Sequence, residues 1–152
     1  MIDHVSFSGT TYNKLPFKFE AGTPHIEGII ALAEALRWMT NIGWDLIQEI
    51  EQSQKVWMQD VVQTLQELRW IGMAKERVAL FSFVHPNIHA GDIGTLLDQQ
   101  GIAIRTGHHC TQPLWESMQL PGSARASLSL YNTEEEIMVF KKALTKSIQM
   151  LS

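Results

Sequence analysis

The residues best suited to chemistry lie together in one hexapeptide, Arg105–Cys110, whose sequence is Arg-Thr-Gly-His-His-Cys. It holds the only cysteine of the chain, two of the six histidines and one of the five arginines. The reactive form of cysteine is the thiolate, and positive charge nearby favours it. A guanidinium and two imidazoles beside Cys110 are therefore typical of a nucleophilic sulfur. A single cysteine can also be a small buried apolar residue, so the residue types alone leave both interpretations open.

The adjacent histidines, His108 and His109, have two possible uses. As proton carriers near Cys110 they would work around neutral pH. With Cys110, and with histidines from elsewhere in the chain, they could also bind a metal. However, adjacent residues on an extended segment point to opposite sides, and zinc sites use well-spaced ligand pairs. We therefore predict proton carriers and no metal site. Surface or helix-capping positions are expected for the remaining histidines, His4, His25, His85 and His89.

The elements that must position this hexapeptide can be predicted from apolar spacing. The run Gly101–Ile104 predicts a buried strand, so that Cys110 would lie on a loop just past a strand end. Two more strands are predicted at 78–84 and 124–131. Helices are predicted at 24–40, 44–70, 90–100, 113–120 and from the capping box Thr133–Glu136 to the C-terminus. The fold class is α+β (an α/β sandwich), with about three strands covered by helices.

Composition limits the class of protein. The chain has 152 residues, 45% hydrophobic and 18% charged, which is typical of a globular domain. Its net charge of −4 argues against nucleic-acid binding. One cysteine excludes an internal disulfide and suits a reducing compartment. No apolar run is long enough to span a membrane, and Met1–Val5 has no signal-peptide pattern. We expect a cytoplasmic protein.

Four motifs together carry a family resemblance: Phe19–Pro24, Arg105–Cys110, Arg125–Leu128 and Tyr131–Glu136. In this order and spacing they resemble the C-terminal part of the Suf-type cysteine desulfurases, pyridoxal-phosphate enzymes of the class V aminotransferase group. The resemblance covers essentially the whole chain. It implies the small C-terminal domain of a fold-type-I enzyme at residues 25–152, preceded by an extended tail of the large domain at 1–24.

The resemblance also implies roles for individual residues. Cys110 matches the cysteine that takes sulfur from L-cysteine, which leaves L-alanine and an enzyme persulfide for an acceptor protein in iron–sulfur cluster assembly. Arg125 matches the arginine that pairs with the substrate carboxylate, and Arg105 would support the same anion or order the loop. Gly22 and Thr23 match residues that reach the cofactor phosphate of the partner subunit in a homo-oligomer. The attacking thiolate would need a mobile, exposed loop, and a glycine in the loop would supply that reach.

One departure from the family concerns the cofactor. The family lysine that forms a Schiff base with pyridoxal phosphate follows a Ser-His pair, and none of the seven lysines here does. We therefore expect this chain by itself to bind no pyridoxal phosphate and to be inactive on L-cysteine. Two alternatives remain open: a non-catalytic interaction or sulfur-relay module, and a fragment of a related enzyme such as a selenocysteine lyase.

Overall fold

The computed structural model describes residues 1–152 and contains two compact units, Met1–Trp44 and Asp45–Ser152. The division that the family resemblance implies, between residues 24 and 25, stays a prediction about the parent domains. No helix in the chain is both long enough and apolar enough to cross a lipid bilayer.

The first unit combines a hairpin with a helix. Strands β1 (Ile2–Ser6) and β2 (Gly9–Tyr12) pair antiparallel, and a 3-10 turn at Phe17–Phe19 follows. The segment is extended in these two strands. Helix α1 (Ile26–Ile42) ends at Gly43, whose φ of 93° stops it.

Helix α1 begins two residues later than predicted. We expected Thr23 as its cap and Pro24 as its first residue. Instead His25 is the N-cap, because the Ile26 amide donates to the Pro24 carbonyl in a tight turn ahead of the helix. No side chain caps this end of α1.

The second unit is a four-stranded antiparallel sheet with helices, in the strand order β3-β4-β6-β5. Its elements in chain order are α2 (Trp44–Thr64, whose first residue closes the first unit), β3 (Arg69–Ile71), β4 (Leu80–Val84), α3 (Ala90–Asp98), β5 (Arg105–Gly107), α4 (Gln112–Ser117), β6 (Ser123–Ser127) and α5 (Glu134–Leu151). The α+β fold class is confirmed, and α5 has the predicted capping box.

The prediction of three strands and of a helix as far as Trp70 was wrong. Helix α2 ends at Thr64, and β3 adds a fourth strand at the sheet edge. Leu65 and Leu68 lie beyond the helix but are buried. Their spacing therefore continues the apolar pattern of α2 although the helix itself has ended. Trp70 pairs with Phe83 across the strands and packs edge-on against Phe81, which is strand packing that helical spacing conceals.

The strand predicted at Gly101–Ile104 was displaced by four residues. The Ile102 amide donates to the Leu97 carbonyl and so completes the C-terminal end of α3. Pairing begins only at Arg105, so the first half of the reactive hexapeptide lies in β5 itself. The strand predicted at 124–131 also ends earlier than expected. Strand β6 stops at Ser127, because the Asn132 side chain accepts from the Ser129 amide and folds residues 129–132 into a turn.

The core lies on one face of this sheet. Phe81 and Phe83 in β4 stand opposite Ala126 and Ala124 in β6. All four are buried in one cluster with side chains from α2, α3 and α5. Because side chains alternate along a strand, the residues between them point to the opposite face.

Candidate functional site

The register of the sheet brings the two candidate arginines together. Arg105 in β5 is the partner of Arg125 in β6, and Arg125 is also the partner of Ser82 in β4. Arg125 lies between two alanines of the core face, so this row belongs to the face opposite the core. The structure therefore makes neighbours of two arginines that are 20 positions apart in the sequence.

Cys110 lies at the end of this row. The thiol is exposed, and the Arg105 Nη2 atom is 3.6 Å from Cys110 Sγ. Arg125 is half-buried, and its Nε atom is buried without a hydrogen-bond partner. A buried donor without a partner is costly, so a carboxylate or another anion here would complete its hydrogen bonding.

The loop that carries Cys110 is tethered, which differs from the mobile loop that we expected. The His108 carbonyl accepts three hydrogen bonds: from Trp115 Nε1 at 2.7 Å, Thr111 Oγ1 at 2.9 Å and Thr111 N at 3.0 Å. Gly107, which was expected to give the loop reach, is paired with Ser123 in the sheet. After His108, both His109 and Cys110 have left-handed φ values, of 53° and 62°.

The two histidines of the hexapeptide have different surroundings. His108 is exposed, so its imidazole is accessible to solvent, as a proton carrier requires. His109 is half-buried, with its ring 6.0 Å from the ring of Trp115 and its Nε2 atom 3.0 Å from Ser123 Oγ. The Ser123 carbonyl, 3.2 Å from the same nitrogen, can only accept, so Nε2 carries the proton.

Burial is the main cause of a lowered pKa at His109, and the charge of Arg125 is the next. Arg105 and His108 lower this pKa further, while the hydrogen bond to Ser123 opposes them. The imidazole is therefore neutral at neutral pH, and its hydrogen bonds to Ser123 hold the loop against β6.

No group of three or more histidine, cysteine, aspartate or glutamate side chains is arranged to hold a metal ion. The two histidines that could have joined such a group have local tasks. His85 Nδ1 accepts from the Asn87 amide, and His89 Nδ1 accepts from the Gly91 amide. His89 is thereby the N-cap of α3, which confirms the capping position expected for it.

Two clefts of the second unit do not include the thiol. One cleft of about 590 Å³ is lined by residues in the ranges 67–69, 84–90 and 119–122. Another of about 440 Å³ is lined by residues in the ranges 101–104, 126–127 and 132–140. Neither is lined by Cys110 or Arg125, so the candidate site lies outside both clefts.

A family model described as aminotransferase class-V matches residues 1–140. The chain belongs to this family. It is 42% identical over 99% of its length to a probable cysteine desulfurase of Xylella fastidiosa, and 43% identical over all of it to one of Synechocystis. It spans 36% and 37% of the length of these class-V relatives.

Solved structures agree with this class-V assignment. The apo cysteine desulfurase of Thermococcus onnurineus NA1 superposes with a TM-score of 0.85 and 32% identity, over 99% of this chain and 38% of that one. The Escherichia coli cysteine desulfurase CsdA, in an S-sulfonic acid form, gives a TM-score of 0.82 at 32% identity, over 100% and 38%. The predicted family resemblance is confirmed at the level of cysteine desulfurase relatives.

The class-V family implies pyridoxal phosphate in its full-length members, and Gly22 and Thr23 are the residues of this chain expected at its phosphate. Gly22, with φ of 77°, and Thr23 are exposed ahead of α1, where backbone amides can bind an anion. Two lysines donate hydrogen bonds to other groups: Lys55 to the Arg77 carbonyl and Lys141 to the Asp60 carboxylate. No hydrogen bond links any lysine to Cys110 or Arg125.

Sequence reasoning missed three residues of the site. These residues are Thr111, Trp115 and Ser123. Each contacts the loop through a hydrogen bond to His108 or His109. The available signal was the composition just after Cys110, where a hydroxyl residue and a tryptophan fall within five positions.

Proposed function

We propose that this chain is the sulfur-accepting C-terminal part of a Suf-type cysteine desulfurase. The observation that carries the proposal is the exposed Cys110 thiol 3.6 Å from the Arg105 guanidinium, on the sheet row that also contains the unpartnered Arg125. A sulfur beside one guanidinium, with a second arginine paired to the first across the strands, suits a substrate that has both a sulfur and a carboxylate.

In the proposed reaction the whole enzyme converts L-cysteine to L-alanine. The Cys110 thiolate attacks the substrate sulfur, a sulfur–sulfur bond forms, and the carbon–sulfur bond of the substrate breaks. The carbon is protonated to give alanine, and the enzyme keeps one persulfide, so no external oxidant is needed. Arg125 pairs with the carboxylate, Arg105 orients the thiolate, and the exposed His108 carries a proton.

The remaining partners of the proposal come from the rest of the enzyme and the cell. Pyridoxal phosphate supplies the electron sink when it is bound in the longer protein, and Gly22 and Thr23 would hold the phosphate from a partner subunit. An acceptor protein removes the persulfide sulfur for iron–sulfur cluster assembly. A thiolate that must remain reduced places this chemistry in a reducing compartment, the cytoplasm.

The test uses the 152-residue chain with a separate active cysteine desulfurase and L-cysteine. We expect mass spectrometry to find one added sulfur on the peptide containing Cys110, with release by a reducing agent. Cys110→Ser, which keeps a small polar side chain, should gain none. A folded wild-type chain that gains no sulfur under conditions that load the desulfurase itself would contradict the proposal.

A non-catalytic interaction module is the second candidate, and the exposed apolar side chains of α1 favour it. In that case the chain binds a full-length homologue or a sulfur-carrier protein without taking sulfur. Binding of equal strength by wild type and Cys110→Ser, without persulfide formation, would support this module over the desulfurase part. A selenocysteine lyase uses the same residues, so comparison of L-cysteine with L-selenocysteine on the longer enzyme separates these two.

A further inference from the structure

We infer that Trp115 is a positioning residue for the Cys110 sulfur, acting through the His108 carbonyl. The inference rests on the proposed function, since it takes Cys110 as the sulfur acceptor. The structural feature is a group of four side chains, Trp115, Thr111, His109 and Ser123, which we call the loop clamp. Its members hold the two sides of the turn that contains Cys110.

The first half of the loop clamp saturates one carbonyl oxygen. A carbonyl has two lone pairs, and three donors converge on the His108 oxygen at 2.7–3.0 Å. The shortest of these bonds comes from Trp115, which is buried with only 4% of its surface exposed. Loss of that bond would leave a buried donor or an empty space, so the peptide group is firmly held.

The second half of the loop clamp fixes the His109 side chain. Its ring is held between Trp115 and the hydroxyl and carbonyl groups of Ser123 in β6. Trp115 therefore contacts both His108 and His109, one through its indole N–H and the other through its ring. The loop is tied to the same strand that carries Arg125.

The backbone conformation explains why a clamp is needed. His109 and Cys110 both have φ in the left-handed region, at 53° and 62°, although neither is glycine. Such residues are strained and persist only where their surroundings hold them. Without the loop clamp the turn would relax, and the thiol would lose its defined place 3.6 Å from Arg105.

This predicts a specific reactivity that does not depend on sulfur transfer. Iodoacetate and iodoacetamide alkylate the same thiolate, but only iodoacetate is an anion. At one pH the thiolate fraction cancels from the ratio of the two rate constants, so the ratio reports the positive charge beside the sulfur. In the 152-residue chain Cys110 is the only thiol, so the measurement needs no other substitution.

We expect Trp115→Phe to lower the iodoacetate-to-iodoacetamide ratio about fivefold at low salt, since the iodoacetate carboxylate no longer meets the Arg105 charge beside the sulfur. Arg105→Gln should lower the ratio by a similar factor, and the double variant should be little lower than either single one. Trp70→Phe is the matched control, because its indole N–H is buried without a partner in β3. That variant should keep the wild-type ratio.

Thr111→Val provides a second variant should Trp115→Phe fail to fold, since it removes only the hydroxyl donor and keeps the side-chain shape. It should lower the ratio in the same direction by a smaller factor. An unchanged ratio in a folded Trp115→Phe chain, or in folded Thr111→Val where the tryptophan variant does not fold, overturns the inference. If the variants change the ratio as expected but wild-type Cys110 gains no persulfide, the proposed function is contradicted and the loop clamp is not.

Discussion

The His109 imidazole makes the stability of the loop depend on pH. Burial and the two arginines lower its folded-state pKa below the ordinary value of 6.5. The unfolded chain therefore binds the proton more tightly, and the free energy of unfolding falls as pH drops from 6.5 through the folded-state pKa. We expect His109→Gln to lack this part of the pH dependence. Urea unfolding of wild type and His109→Gln at about pH 7 and about pH 5.5 measures this dependence. If the free energy of unfolding changes equally between the two pH values in both proteins, the assignment to His109 is contradicted.

At the scale of residues, the sequence indicated which side chains lie near Cys110 but not how the strands pair. The residue types of Arg105–Cys110 left an exposed and a buried thiol both open, and the structure has an exposed thiol 3.6 Å from the Arg105 guanidinium. The pairing of Arg105 with Arg125 depends on the register of two strands, which residue types do not specify. The bond from Trp115 to His108 spans seven positions, and it exists only because two residues between them adopt left-handed conformations.

Elements also carry testable energetics, and the capping box of α5 is the clearest case. The Thr133 hydroxyl accepts from the Glu136 amide, and the Glu136 carboxylate accepts from the Thr133 amide. Thr133→Ala should lower the free energy of unfolding by about 1 kcal/mol, because an amide at the helix end loses its partner. Thr145→Ala is the matched control, since that hydroxyl bonds only the Lys141 carbonyl in the same helix. A loss of equal size in both variants would argue against the cap.

The contact between α3 and β5 gives a second prediction at this scale. A Cβ atom on Gly94 would lie 2.7 Å from Cγ2 of Thr106, which is in β5 beside Arg105. Gly94→Ala should therefore destabilise the chain by about 1 kcal/mol, since overpacking outweighs the gain in helix propensity. Thr106→Ser removes the methyl group and should restore most of the loss in the double variant. Chemical unfolding of the single and double variants measures this, and simple additivity would contradict the contact.

Elements with a regular apolar period and a capping signal were predicted well, as α3 and α5 demonstrate. Two of the shortest strands were not. Strands β3 and β5 have three residues each, which is too short for an alternating pattern to emerge. Their places are set by pairing with β4 and β6, a tertiary effect that local propensity does not contain.

For the whole molecule, the 36–38% coverage of the cysteine desulfurase relatives bears on the cofactor. We expect the 152-residue chain to retain no pyridoxal phosphate after dialysis, because none of its seven lysines lies in the family context for a Schiff base. Absorbance near the visible edge, followed by borohydride reduction and peptide mapping, measures this. A labelled lysine in stoichiometric yield would contradict the expectation and reopen direct catalysis by this chain.

Self-association is the second prediction for the whole molecule. Three isoleucines of α1, Ile26, Ile29 and Ile30, are 59–65% exposed, and exposed apolar patches drive association in water. We expect oligomers whose population rises with protein concentration in sedimentation equilibrium. Lysines at Ile26 and Ile30, one helical turn apart, should shift the chain to monomer through charge repulsion and loss of apolar area. The matched control places lysines at Gln48 and Gln52, an exposed pair with the same spacing on α2, and should associate like wild type. A wild-type chain that stays monomeric across the whole concentration range would mean that the α1 face does not associate with itself.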